Sequence, residues 1–555
     1  MALTPPDSPD RPGVLNNLGN GLRDRYGRTG RLEDLEAAIE AFQRALATLD
    51  RAFLLSPVAY QLGQQARWAG LAAGAVAVHR QAGRNGEALA IAEGSKSRLL
   101  AALLGRGRLP VPAAIPADLA AREQALAEEL ADLDAADLAR HGQGGGESTL
   151  PRRQALLGQL MAIWEQMAGY GPEAAAYVAL RRAERPTRDD LARLAAGLGP
   201  QTAALSLFDT GEQVLLFVLR APEASAASDG WQPIVVEAAI PPDELRHVYL
   251  ANYLDEVLER RAHRAVGRPL THRWRALGEP LLAPALPHLA GVERLVLVPE
   301  GPFHLLPLHA LRLNGAGETL LDRFAVSYIP ALSLLDRLWR RPPPAGDGAL
   351  VLGYSADPST ARGSLERAIF LGEAEAVAQQ MGVAPLLDDA ASAANLRAAL
   401  DGREVHLVHL SCHGYFDPQD ALRSGVLLRD GVFAAREWMA LRFRAGLVTL
   451  SACQTGLARS LGEDEMAGLS QALLYAGASS LLVGRWSVEA TTTAALMVAF
   501  YRRLWDSAGN PRTDKATALR EAALALRDGD LPTPSGIDPT DPYYWAPFVL
   551  VGDWR

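Results

Sequence analysis

The chain has 555 residues, a formal net charge of −9 and two cysteines, Cys412 and Cys453. The charge, with a pI near 5.7, argues against a general nucleic-acid binder, and two cysteines exclude a disulfide framework or a Cys-rich zinc site. The opening MALTPPDSPDRPG has neither the basic start nor the apolar stretch of a signal peptide. No apolar run approaches the roughly 18 residues needed to cross a bilayer. The expected compartment is the cytoplasm, by default that of a bacterium, with no membrane contact.

Residues 11–105 read as helical hairpins. Leu18-Gly19, followed by Ala38, Phe42 and Ala45, matches the Leu-Gly and Ala-x3-Phe-x2-Ala spacings of a tetratricopeptide repeat, with extra residues between the halves. Small residues there let two helices cross closely, and Phe42 fills the gap. A weaker copy carries Gly83, Ala88 and Ala92. Residues 115–196 are rich in Ala, Leu, Glu and Arg, as in a long helical hairpin. Its polar glycine break, HGQGGGES at 141–148, reads as a solvated loop. GSKS at 94–97 lacks the upstream glycine and the Gly-Lys pair of a phosphate-binding loop.

Near Thr202 the period changes. TAALSLFDTGEQVLLFVLR is a β-hairpin signal around an Asp-Thr-Gly turn, WQPIVVEAAI is a further β-rich run, and a helical stretch is expected over about 242–282. RLVLVPEGP then predicts a strand ending in a Pro-Gly loop. RRPPPAGDG at 340–348 is the clearest internal linker. Beyond it, strands are predicted at 349–353, 384–387, 404–411, 446–451 and 479–484. Helices are predicted at 370–381, 392–401, 435–440, 464–476 and 490–507, with a hairpin at 425–433. Such alternation is an α/β sandwich.

The runs VHLVHLSCHG (405–414) and LVTLSACQTG (447–456) carry the chemistry. Both are apolar and only weakly alternating, as in strands buried on two faces, and they should be parallel neighbours. Their C-terminal ends would bring His413 and Cys453 to one rim, where ligands and catalysis usually sit. An imidazole can take the thiol proton, and the amides of Gly414 and Cys453 are natural oxyanion donors. That is equipment for acyl transfer from a peptide bond. Cys412 reads as a small core residue. The spacing of His406, His409 and His413 does not support a metal site, because His406 points to the opposite face and no carboxylate cluster is near. No metal or cofactor is expected. His304 and His309, beside prolines, read as packing residues.

LSCHGYFDP, SGVLLRDG, LSACQTGLA, ALLYAGASSLLVGRW and PYYWAPFVLVGDW, in this order, resemble the CHAT domain, a caspase-like module related to separase and often attached to tetratricopeptide repeats. The resemblance covers about Gly267 to Arg555. It implies a caspase–haemoglobinase fold, a preceding pseudo-peptidase half, and a cysteine endopeptidase with His413 and Cys453 as its dyad. The expected organisation is α+β and multidomain: TPR-like helical repeats over 1–110, a helical extension over 111–198, a pseudo-caspase half over 199–341 and the active half over 342–555.

Substrate choice is less legible. Metacaspase-like and clostripain-like relatives carry an Asp two residues before the cysteine, where this chain has Ser451; separase has an acid in the stretch matching Trp486, Ser487, Val488 and Glu489. Ser451, Trp486, Ser487, Glu489 and Asp464 are therefore pocket candidates. Strict Arg preference requires Glu489, Asp464 or another acid to turn inward, since a buried unpaired Arg is costly; otherwise a small, polar or apolar P1 is expected. The alternative for Glu489 is a helix N-terminus, favoured by the dipole. A protein substrate and a protein activator are the expected partners, received by the helical repeats, and the role implied by the resemblance is regulated cleavage in bacterial defence or stress. Two other readings stay open: a dead peptidase fold acting as an adaptor, and a hydrolase of small amides.

Overall fold

The computed structural model describes residues 10–55, 66–96, 111–140, 149–222, 231–258, 270–346, 348–355, 361–415, 417, 423–451, 469–486, 489–506 and 509–555. Among the described residues four helices come first: α1 (Arg11–Thr29), α2 (Leu32–Leu55), α3 (Ala66–Gln81) and α4 (Asn85–Ser95). Gly30 closes α1 in the left-handed conformation at φ 68°, its N–H returning to Tyr26 O. Phe42 is fully buried on α2. A Cβ on Gly19 of α1 would stand 2.8 Å from its ring, and one on Gly74 of α3 2.7 Å. The missing side chains are what admit the aromatic ring between three helices.

Helices α5 (Ala117–Arg140), α6 (Leu150–Ala168) and α7 (Pro172–Arg181) build a second apolar cluster. Glu123 is buried at its centre, accepting from Trp164 Nε1 (3.2 Å) and Tyr177 Oη (3.0 Å) and paired with Arg181 (2.8 Å). Helix α8 (Arg188–Leu198) begins in a Thr187–Asp190 capping box and leads into the sheet.

The strands are β1 (Thr202–Asp209), β2 (Val214–Arg220), β3 (Ile234–Glu237), β4 (Arg294–Val298), β5 (Ala325–Tyr328), β6 (Ala349–Gly353), β7 (Leu386–Leu387), β8 (Glu404–Ser411), β9 (Gly414–Tyr415), β10 (Gly425–Leu428), β11 (Gly431–Ala434), β12 (Arg444–Ser451), β13 (Ser480–Gly484) and β14 (Phe548–Gly552). Eleven of them form one mainly parallel sheet in the order β3-β2-β1-β4-β5-β14-β13-β12-β8-β6-β7, while β9–β11 form a small separate one. The fold is mixed α+β, a helical N-terminal region on a large sheet. Strands from both sides of the 340–348 stretch share this sheet, joined by β14, which is parallel to β5 and antiparallel to β13. Helices α9 (Leu332–Trp339), α10 (Ala361–Met381), α11 (Ala393–Leu400), α12 (Ala435–Met439), α13 (Leu469–Ala476), α14 (Ala490–Leu504) and α15 (Lys515–Arg527) connect or cover the strands.

The described part of 242–282 is largely helical as expected, in one unbroken run over 242–258 and in short segments at Arg273–Leu277 and Gly278–Leu281. One expectation is corrected. Helix α10 starts at Ala361, not at 370, which adds a face used below.

One buried ion pair ties the N-terminal helices to the sheet. Lys96, just after α4, reaches Glu93 (2.9 Å), Ser206 Oγ on β1 (2.7 Å) and Val298 O on β4 (3.3 Å). Glu93 also accepts from Ser206 Oγ (2.6 Å) and from the Leu332 N–H at the start of α9 (2.6 Å). Both charged side chains are fully buried.

Candidate active site

Strands β8 and β12 are parallel neighbours in continuous register from Glu404↔Arg444 to Ser411↔Ser451, as their sequences lead one to expect. The ladder extends one step further through Cys412 N to Ser451 O (3.4 Å). Both strands end at the same rim. Cys412 is buried, in keeping with a core role. The hydroxyls of Ser411 and Ser451 lie buried at this rim with no hydrogen-bond partner among the described residues. Cys453 follows Ser451 by two positions in sequence and lies outside the described residues, as do Asp464 and Ser487.

His413 is half-buried just past the end of β8. The Phe370 ring meets it edge-on, centroids 4.9 Å apart at 74°. Burial pushes the imidazole below its ordinary range, and the nearby Glu366 charge partly opposes that shift. A neutral ring at pH 7 is the form a general base requires. Glu366, Phe370 and Glu373 recur at helical spacing along α10, facing β8. This face went unread in the sequence because the helix was expected to begin at 370; the i, i+4, i+7 spacing was the available signal.

Gly414 opens β9 and pairs with Val426 of β10. Leu427 N donates to His413 O at 2.8 Å, which makes His413 and Leu427 a hydrogen-bonded pair. In an antiparallel ladder the next pair is not hydrogen-bonded, so the Gly414 N–H points off the outer edge of the small sheet.

Beneath the rim, His409 of β8 faces Tyr501 of α14 (Nδ1 to Oη, 3.0 Å) and Glu373 (3.2 Å), and Tyr501 donates to Thr449 Oγ1 of β12 (2.7 Å). All four groups are buried. This polar bridge holds the two central strands to their covering helices. No group of metal-ligating side chains occurs among the described residues.

Trp486 is buried beyond β13, donating Nε1–H to Tyr543 O (3.0 Å), stacked on Tyr543 and edge-on to Tyr253. Glu489 caps α14, its oxygens accepting from Thr491 N (3.1 Å) and Thr492 N (2.7 Å). Its carboxylate is thus used at the helix N-terminus, the second of the two roles its position allowed. His304 and His309 are buried as expected of packing residues: His309 bridges Tyr328 Oη (2.8 Å) and Ala546 O (3.1 Å). Arg485 covers Tyr328 and donates to the His304 carbonyl at 2.5 Å.

The CHAT domain matches residues 268–553, just over half of the chain. The chain belongs to the CHAT domain family. This CHAT domain takes in β4 to β14, while β1–β3 precede the match yet share its sheet. Tetratricopeptide repeat protein 28 of Mus musculus is 26% identical over 333 residues, 50% of this chain but only 13% of that protein. A separase–securin complex of Saccharomyces cerevisiae aligns with a TM-score of 0.41 at 10% identity, covering 98% of this chain and 46% of that one. The Porphyromonas gingivalis RgpB pro- and mature-domain complex aligns with a TM-score of 0.35 at 12% identity, covering 57% and 77%. At these scores the fold rests on the strand order itself. Among the described residues no helix of the CHAT protein is long and apolar enough to cross a membrane.

Proposed function

We propose that this CHAT protein is a regulated cysteine endopeptidase, with Cys453 as nucleophile and His413 as general base and then acid. The observation that carries the reading is the β8–β12 register, which ends with Ser411 beside Ser451, two positions before His413 and Cys453. The Cys453 thiol gives its proton to neutral His413, and the thiolate adds to the scissile carbonyl. The amides of Gly414 and Cys453 receive the oxyanion. Collapse breaks the C–N bond as His413 protonates the leaving amine. Water, deprotonated by His413, then cleaves the thioester.

Ser451 supplies no charge to a pocket, and Glu489 is engaged in capping, which together support a P1 that is small, polar or apolar. The N-terminal helices are the surface for a substrate or an activating protein, and the setting is a cytoplasmic response such as bacterial defence or stress-induced death. A second reading, a catalytically dead CHAT adaptor, is favoured by the relative named as a tetratricopeptide repeat protein. Cleavage of a diverse peptide library by wild type, Cys453→Ala and His413→Ala, with and without cell lysate, separates the two. Products that need both residues are expected. If wild type and variants behave alike under both conditions, the peptidase reading fails and the adaptor stands.

A further inference from the structure

An open cavity of about 870 Å³ lies apart from His413, between the segment around Arg275, the 312–318 loop and the C-terminal end of α15. Its charged lining divides into satisfied and unsatisfied groups. Arg527 is held by Asp322 (2.8 Å) and Asp528 (2.9 Å), and Glu318 is paired with Arg323 (2.7 Å). Arg275 and Arg312 have no carboxylate within ion-pair distance among the described residues. The carboxylate left over is Glu279, which is exposed.

Arg275 is only 8% exposed, its Nε donating to Ala310 O (3.2 Å) and its guanidinium 5.9 Å from the Trp545 ring, with Arg527 at 5.8 Å from the same ring. Burial, then the charge of Arg312, bring Arg275 down to about 10; Arg527 adds to the shift, and the more distant Asp541 and Asp322 carboxylates partly oppose it. A buried guanidinium whose carboxylates all stand beyond ion-pair distance gains from a closer anion. Its planar fork also matches the oxygens of a phosphate or carboxylate. The volume is that of a small-molecule site.

We propose that this cavity binds a small, multiply charged oxyanion between the Arg275 and Arg312 guanidiniums, independently of any peptidase activity. The shared chemistry has two sources, a phosphate ester or a polycarboxylate. Calorimetric titration of the full chain with inorganic pyrophosphate and with citrate, at ionic strength fixed with sodium chloride, tests it. Saturable binding is expected for at least one probe, and the stronger probe identifies the source. Arg312→Ala, at an exposed position that leaves the fold intact, is expected to weaken that binding about tenfold, as loss of one charge-assisted contact does. Arg275→Lys keeps the charge but not the fork and is expected to weaken it as well. No saturable binding of either probe, or equal affinity in wild type and Arg312→Ala, overturns the proposal. Cys453→Ala is expected to bind as wild type does.

Discussion

Lys96→Met tests how firmly the N-terminal helices are fastened to the sheet. The Nζ–Oε1 separation of 2.9 Å corresponds to about 6 kcal/mol of gross attraction at an effective dielectric near 20. Desolvation of two buried charges offsets part of it. Removing the lysine alone strands the Glu93 carboxylate with only the Ser206 hydroxyl and the Leu332 amide as donors. Breaking one side of such a pair costs about 3–5 kcal/mol. A chain of this size need not unfold in two states, so the readout is native-state hydrogen exchange of the β1 and α4 amides. Exchange there is expected to accelerate by roughly two to nearly four decades. Glu93→Gln with Lys96→Met removes both charges and is expected to recover most of the loss. An unchanged single variant, or a double variant as labile as the single, would refute the argument.

Phe42→Ala empties the space beside Gly19 and Gly74 and is expected to cost about 3–5 kcal/mol, read as faster exchange in α1–α3. Burial holds His304 and His309 down to about 3, with Arg485 adding to the shift. The unfolded chain takes up these protons near pH 6.5 and the folded chain does not. Stability is therefore fully present above about 6.5 and falls toward pH 3 by about 1.4 kcal/mol per unit per histidine. His304→Leu is expected to reduce that slope by one proton in native-state hydrogen-exchange protection of the β4 and β5 amides, corrected for intrinsic exchange, from pH 7 to 4.5; matching slopes would count against it. If the peptidase reading holds, Glu366→Gln removes the charge that raises His413 and moves the acid limb of kcat/KM to lower pH. An unmoved limb would mean that Glu366 does not act on the base.

The strands that lead to the candidate dyad were legible because their signal is local. Val and Leu runs bounded by polar turns identify β8 and β12, and parallel neighbours present their ends to one rim. Phe42 and its small neighbours were legible for the same reason, since side-chain size at fixed helical spacing can be read directly. The insertion of β14 between β5 and β13 was not, because strand order depends on pairings hundreds of residues apart. The ties Lys96–Glu93–Ser206 and His409–Tyr501–Thr449 were also hidden: each joins polar residues that look unrelated in sequence, and only the packing of helices on the sheet brings them together. The candidate His413 was read from its strand, whereas its neighbours Phe370 and Glu366 needed the true start of α10.

The position of β14 sets a clock on folding. Strand β5 ends at Tyr328, and the strand that must pair with it begins at Phe548. At synthesis rates of about 5–20 residues per second, that interval is roughly 10–45 s. Throughout it the free margin of β5 offers unpaired backbone groups to any passing strand. A nascent chain that stalls in this window has two partial sheets and no seam between them, and it is then most exposed to mispairing and to capture by chaperones.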